Sequence, residues 1–521
     1  MRRLSTIAGV FFICASSMHA QGVASGHRVL NVRTLLYQMS EAMGGLERIR
    51  AVKNQVIISE GDYFEPQQAL TPSGQPRHVS HFRAETTREL GSGRLREDWG
   101  AEIFYVFKAH VRYVRIVNGG FGLVESRDDR PVQQFRMDLG QLATRVREER
   151  RAQPQIVLTA LEHEDIRVLP DVRVAGKKQH VLSFQEKGQE FQLFIDAHSK
   201  LLTQVDILED DPTYGDSRYR SRYSDWREVN GVKIPFGLRY EINGDLLRTE
   251  RYLSVLHNEA LASTTFDIPQ AIRDQKPYGE SVASEWLLRR LAMNVDYPPS
   301  LTSRPSVKLT RLSDGVFYTK DGIYNSFVIE LRDYLIVIEP VLYEANSVQV
   351  IAAIKARFPG KAIRFIVPTH SHNDHSGGIR TYIAEGATIL APAISRAHYQ
   401  WVASNMHTLR PDRLQATPRR FCMKVVDRHL ELRDGLRRVE IFVLPTTHAR
   451  DLQLIYLPQE KLLIEADLMS PSDGEIGQPI ELARQLLLGI RRLNLKVVRI
   501  AGVHGDVGTF RQLVEGVHRK T

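Results

Sequence analysis

The sequence predicts an α/β domain in the C-terminal part of the chain, preceded by an antiparallel β-rich region, and three observations point there. Beyond residue 305, short apolar strands alternate with helical patterns, the order that builds α/β folds. Between about residues 55 and 268 short alternating segments are separated by turn residues, and Asn230-Gly231 and Asn243-Gly244 are two-residue hairpin signals. The stretch Asp296-Tyr297-Pro298-Pro299-Ser300 falls between these patterns and reads as a linker. A chain of 521 residues also exceeds what one hydrophobic core serves. The expected division is therefore 1–20, 27–300 and 305–521.

The elements follow in chain order. Arg2 and Arg3 precede an apolar run at 7–15 and small residues up to Ala20, the pattern of a secretory signal, so the expected location is periplasmic or secreted. Cys14 would leave with that signal. The one remaining thiol, Cys422, lies between Phe421 and Met423 and is expected to be buried and apolar, so no internal disulfide is available. Residues 32–43 have helical apolar spacing and stop at Gly44-Gly45. Alternating segments occur at 103–116 and 180–195, and the hairpin signals join 218–226, 232–240 and 246–255 into sequential antiparallel strands. A helix is expected over 281–293. The α/β part then reads as strands 326–329 and 334–338, helix 347–358, strand 363–367, helix 379–384 and strand 388–390.

Composition narrows the function classes. With 42% hydrophobic and 25% charged residues the chain is that of a folded protein. The net charge of +9 is scattered, without a Lys/Arg block, and export argues against nucleic acid as a partner. A mildly cationic surface suits anionic membranes, lipids or a small anionic substrate, and says nothing about oligomeric state.

The chemistry is concentrated in Thr369-His370-Ser371-His372-Asn373-Asp374-His375, where three imidazoles and a carboxylate fall between His370 and His375. Neutral nitrogen and anionic oxygen donors suit zinc, and also iron or manganese. A hydrogen-bonded loop without an ion is the plain alternative. Against it, an apolar strand enters the cluster, Pro368 ends that strand, and Ser376-Gly377-Gly378 offers the backbone freedom of a tight turn. Four ligands in one loop do not close two metal sites, so further ligands are expected at other strand ends. His448 follows the run 439–444, Asp467 follows 462–466, and His504 follows 496–501. His398, His407 and His429 follow no such strand and are expected to be solvated or satisfied in the core. Arg450 and Asp451 are either ligand-orienting groups or a surface pair.

Together, this motif with His448, Asp467 and His504 in that order resembles the metallo-β-lactamase fold superfamily from about residue 305 to the C-terminus. The resemblance implies a four-layer αββα sandwich with the site at one edge of the paired sheets. It implies that His370, His372 and His448 hold one divalent metal and Asp374, His375 and His504 a second, with Asp467 between them, as in glyoxalase II-like hydrolases. Departures are Ala466 before Asp467, where Gly is usual, and Glu339, where Asp is commoner. Asp467 also occupies the place of the cysteine that one branch of β-lactamases uses. The N-terminal region resembles the curved sheets of lipoprotein-carrier-like domains through Gly44-Gly45 and residues 225–235. Such a sheet either presents an apolar concavity to lipid or buttresses the catalytic domain, and the buttress is favoured.

The implied activity is hydrolysis of an ester, thioester, lactone or amide by a hydroxide generated on two divalent ions, zinc before iron or manganese. Asp374 is the candidate catalytic residue, orienting the nucleophile and accepting its proton. The alternatives are a mononuclear iron oxidoreductase similar to persulfide dioxygenases, and a periplasmic lipid-binding protein with a vestigial metal site.

Overall fold

A computed structural model describes residues 31–105, 108–128, 134–152, 155–186, 188–277, 307–319, 324–472 and 475–519. The expected signal, the helix at 281–293 and the linker lie outside the described residues. Among the described residues no helix is long and apolar enough to cross a membrane.

Alternating side chains in the N-terminal half produce one antiparallel sheet made of two meanders. The first comprises β1 (Asn54–Glu65), β2 (Arg77–Glu89), β3 (Arg94–Ile103), β4 (Ala109–Asn118), β5 (Phe121–Ser126) and β6 (Gln134–Arg136). The second comprises β7 (Arg167–Val174), β8 (Lys177–Glu186), β9 (Gln189–Asp196), β10 (Leu202–Asp211), β11 (Gly215–Val229), β12 (Val232–Ile242) and β13 (Asp245–His257). Pairing of β1 with β13 fuses them into a sheet of 13 strands. The two hairpin signals behave as read: Asn230, Gly231, Asn243 and Gly244 all have positive φ, the requirement of a tight primed turn.

Two expectations need correction here. The segments 103–116 and 180–195 each contain a chain reversal, since Ile103 pairs with Ala109 across β3 and β4, and β8 turns back into β9. Period-2 alternation persists through both strands of a hairpin, so it does not mark the turn. Helices Leu139–Ala152 and Ile156–Glu162 also interrupt the β-rich region. Val157 and Ala160 pack with Leu35, Leu36 and Met39 of helix Val32–Ala42 onto the sheet. Each buried Val, Leu or Met side chain among them contributes about 1.5–3 kcal/mol.

The C-terminal half has two sheets. One, of seven strands in sequence order, contains β14 (Leu309–Ser313), β15 (Val316–Thr319), β16 (Phe327–Glu330), β17 (Tyr334–Ile338), β18 (Ala362–Val367), β19 (Thr388–Ala391) and β20 (Met423–Val425). The other, of six, contains β21 (His429–Arg433), β22 (Arg438–Val443), β23 (Gln453–Leu457), β24 (Leu462–Glu465), β25 (Arg499–Gly502) and β26 (Val507–Thr509). Side chains of both, including Ile336, Ile338, Ile441 and Ile464, share one core, so the sheets face each other. On the outer face of the first sheet, helix Glu344–Arg357 packs through Val350, Ile351 and Ile354. On that of the second, helices Ile480–Arg492 and Phe510–His518 pack through Leu486, Ile490 and Leu513. The layers are therefore αββα.

Cys422 is exposed rather than buried. Phe421 and Met423 pack partly buried against the core, while Cys422, in the segment just before β20, faces solvent.

Candidate metal centre

Strand β18 delivers the motif. Its last residue, Val367, is followed by Pro368 and by a turn whose residues His370 to Ser376 are all buried. Thr369 is pinned from two sides: its N–H donates to Glu339 Oε1 at 2.9 Å, and its carbonyl accepts from Gln453 N at 2.7 Å. The glycines after the motif are not there for unusual dihedrals, because Gly377 has φ −62° and Gly378 φ −87°. They permit close approach instead. A Cβ on Gly377 would sit 1.8 Å from the carbonyl oxygen of Leu342.

The six-stranded sheet brings the other candidates to the same edge. His448 lies in the turn between β22 and β23, Asp467 just beyond β24, and His504 just beyond β25. Asp467 has φ 63°, a left-handed conformation that costs a non-glycine residue about 1 kcal/mol or more. Glu465, fully buried, accepts from the N–H groups of Leu468 and Met469 and so shapes the turn that carries Asp467.

All seven predicted residues converge. His370 Nε2 is 2.9 Å from His372 Nδ1 and 3.3 Å from His448 Nε2. His375 Nε2 is 3.4 Å from Asp374 Oδ2 and 3.3 Å from His504 Nε2. Asp467 lies between the two groups: Oδ2 is 3.3 Å from His370 Nε2, 3.3 Å from His448 Nε2 and 2.8 Å from His375 Nε2, while Oδ1 is 3.1 Å from His504 Nε2. Ring nitrogens from four histidines thus point at one carboxylate.

The outer nitrogens of four of these rings are engaged elsewhere. His370 Nδ1 is 3.1 Å from Thr369 Oγ1, His372 Nε2 is 3.0 Å from the Ala69 carbonyl, and His448 Nδ1 is 3.3 Å from the Tyr105 hydroxyl. His375 Nδ1 faces Glu339 Oε2 at 3.3 Å. A proton held on the outer nitrogen leaves the inner one with its lone pair, the tautomer a metal ligand needs.

Electrostatics agree with the donor set. Burial, with the neighbouring imidazoles, drives the pKa of His370 and His372 well below the ordinary histidine value, so both are neutral at pH 7. Burial opposes ionisation of Asp374, but His375 and His504 carry it down to about 2. Burial opposes ionisation of Asp467 too, and His375, His448 and His504 hold it well below the usual range. His375 is pushed up, against the effect of burial, by Asp467, Asp374 and Glu339. Two buried carboxylates therefore draw positive charge onto their neighbours, which is what a divalent cation would supply. Two neutral imidazoles, further imidazoles and two anions fit such ions.

Other candidates fall elsewhere. His398 is buried with Nδ1 3.1 Å from Ser73 Oγ, His407 is buried near Asp412, and exposed His429 stacks on Phe442. Asp451 is no surface group: it is buried and accepts from Ser395 Oγ, whereas Arg450 is exposed. Residues missed in the sequence come from the N-terminal sheet. The 3-10 turn Pro66–Gln68, following β1, places Gln68 Nε2 at 2.8 Å from Asp374 Oδ1. Arg77, at the start of β2, donates to the carbonyls of Gln68 and His448 and lies over the Tyr105 ring. Nothing in the sequence around them signals a site.

The family model of the metallo-beta-lactamase superfamily matches residues 319–499. Comparison with curated proteins returned no match. Among solved structures, the chain is similar to the DIM-1 metallo-beta-lactamase at 17% identity, covering 41% of this chain and 96% of that one with a TM-score of 0.31. It is similar to the metallo-beta-lactamase from Pontibacter korlensis at 15% identity, covering 41% and 97% with a TM-score of 0.32. It is also similar to the rubredoxin oxygen:oxidoreductase from Desulfovibrio gigas at 17% identity, covering 40% of this chain and 60% of that one with a TM-score of 0.31. The match to the family, over facing sheets whose strand ends carry the ligand-type residues, makes residues 319–499 a domain of the metallo-beta-lactamase superfamily.

Proposed function

We propose that this protein is an exported metal-dependent hydrolase of a small ester, thioester, lactone or amide. Superfamily membership supports an enzyme. The observation that carries the finer reading is the convergence of two ligand groups, one of His370, His372 and His448 and one of Asp374, His375 and His504, on the single carboxylate of Asp467.

Two divalent ions, held by these groups, would supply a water activated near neutral pH and polarisation of a carbonyl. The remaining work belongs to the chain. Neutral His370 and His372 keep their inner lone pairs because Thr369 and Ala69 occupy the outer nitrogens. Asp374, with its pKa near 2, is ionised at neutral pH and acts as an acceptor that orients the attacking water; the same acidity makes it a weak proton store. His504 is the most accessible of the seven side chains, at 15% exposure against 0% for His370 and His375, so substrate approaches from the Asp374 and His504 side.

Metal quantification on the purified full chain tests this, paired with thioester, lactone, ester and β-lactam substrates and a His448→Ala control. Two ions per chain and hydrolysis lost in the control are expected. One iron per chain with dioxygen consumption and no cleavage, or equal rates in both proteins, would sink it.

A further inference from the structure

The two ligand groups are joined by a second route that runs through two turns of the N-terminal half. Tyr105 lies in the turn between β3 and β4, with its ring stacked on His448 at 5.8 Å between centroids. Its hydroxyl is 3.3 Å from His448 Nδ1 and donates to Gln68 Oε1 at 3.1 Å. The Gln68 amide then donates from Nε2 to Asp374 Oδ1 at 2.8 Å and to Asn373 Oδ1 at 3.0 Å. Each donor has one direction that satisfies its neighbours. The Gln68 amide faces two oxygens, Asn373 Oδ1 and Asp374 Oδ1, so it presents its NH2 to them and its oxygen to Tyr105; Tyr105 spends its proton on that oxygen and accepts from His448 Nδ1–H. The inner nitrogen, His448 Nε2, is left bare toward His370 and Asp467.

The chain of bonds is held in place. Arg77 donates to the Gln68 carbonyl at 2.7 Å and to the His448 carbonyl at 2.8 Å, with its guanidinium 4.2 Å from the centre of the Tyr105 ring. The Arg450 N–H donates to the Leu70 carbonyl at 2.9 Å. Gln68 is only 4% exposed, so water does not replace its partners.

We propose that Gln68 and Tyr105 are positioning residues of the metal centre, coupling His448 of one ligand group to Asp374 of the other, so that occupancy of either metal site favours the other. The proposal rests on the metal-binding reading above. It gives the N-terminal sheet a part in the site although that sheet contributes no ligand. With a metal bound by the His448 group, the Nδ1 proton of His448 would become a better donor to Tyr105; Tyr105 would in turn donate more strongly to Gln68, and Gln68 would hold Asp374 in the orientation its own group needs.

The test is zinc titration of the full chain, as wild type, Tyr105→Phe, Gln68→Leu and the double variant, against a chromophoric chelator. Thermal melts of the four metal-free proteins run alongside. Tyr105→Phe keeps the ring and removes only the hydroxyl. Expected are two ions in the wild type and a roughly 10- to 100-fold loss of affinity in each single variant. The double variant should be no weaker than the poorer single, because both break the same chain. Metal-free melting temperatures within a few degrees of the wild type are expected; a collapse of those melts in both singles would mean a purely structural role and overturn the coupling. Two ions bound with wild-type affinity by both singles, or a double loss equal to the product of the singles, would overturn it as well. Failure of the wild type to bind zinc at all would instead overturn the proposed function, and the coupling with it.

Discussion

The Nε2 atom of His372 lies 3.0 Å from the main-chain carbonyl of Ala69, so an imidazole of the ligand cluster is oriented by a backbone group 303 residues earlier in the chain. Filling the site should therefore be felt in the N-terminal sheet. Hydrogen exchange of the peptide covering 65–77 should slow when zinc is added, although that peptide holds none of the seven ligand candidates. The linkage for a ligand at 100 times its Kd is about 2.7 kcal/mol, which is enough to read. Unchanged exchange there, with protection gained at 370–375, would show that the loop is a passive neighbour.

Glu339 stands where two demands meet. Its Oε1 accepts from the buried Thr369 N–H at 2.9 Å and its Oε2 faces His375 Nδ1 at 3.3 Å. In Glu339→Ala the Thr369 N–H loses its partner, with an expected cost of about 1–3 kcal/mol. Metal affinity should drop roughly 10- to 100-fold. Glu339→Gln separates the effects: its oxygen still serves Thr369, but its NH2 would force the proton of His375 onto the inner nitrogen. Urea unfolding should show stability restored in that variant while zinc binding stays weak; recovery of both would refute the orienting role.

Gly377→Ala should damage the centre without touching a ligand. The added Cβ would lie 1.8 Å from Leu342 O and 2.5 Å from Asn373 O, both backbone atoms that cannot swing away. A cost of about 3 kcal/mol, at the upper end of overpacking, is expected in denaturant titration, together with reduced zinc content. A variant with wild-type stability would show that the loop after β17 yields easily.

His398 gives the fold a pH dependence of its own. Burial lowers its pKa to about 4 from an ordinary 6.5. Below pH 6.5 the unfolded chain takes up the proton and the folded one does not, so this contribution is complete above 6.5 and is lost as pH falls toward 4. The full shift corresponds to about 3 kcal/mol. Urea midpoints measured from pH 7 to pH 4 should fall less steeply in His398→Gln than in the wild type, and parallel curves would remove His398 from the account.

Much of the site was legible from residue chemistry alone. His370, His372, Asp374, His375, His448, Asp467 and His504 are ligand types placed directly after apolar strands, and in facing sheets strand ends share an edge. The hairpins at Asn230-Gly231 and Asn243-Gly244 were legible for a similar reason, since positive φ at two successive positions restricts the residue choice. Cys422 and the helices within 139–162 were not: the first depended on how the segment before β20 lies on the core, the others on which surface the sheet left to cover.

What the sequence by itself determined is the donor set and the strands that carry it, because both are local properties of short segments. Only the tertiary structure decided what surrounds the donors. A carbonyl at residue 69, an amide at Gln68 and a hydroxyl at Tyr105 are groups that occur throughout any chain. They matter here because β1, β2 and the β3–β4 turn dock against the ligand edge, and docking depends on the shapes of two whole surfaces that no short segment encodes.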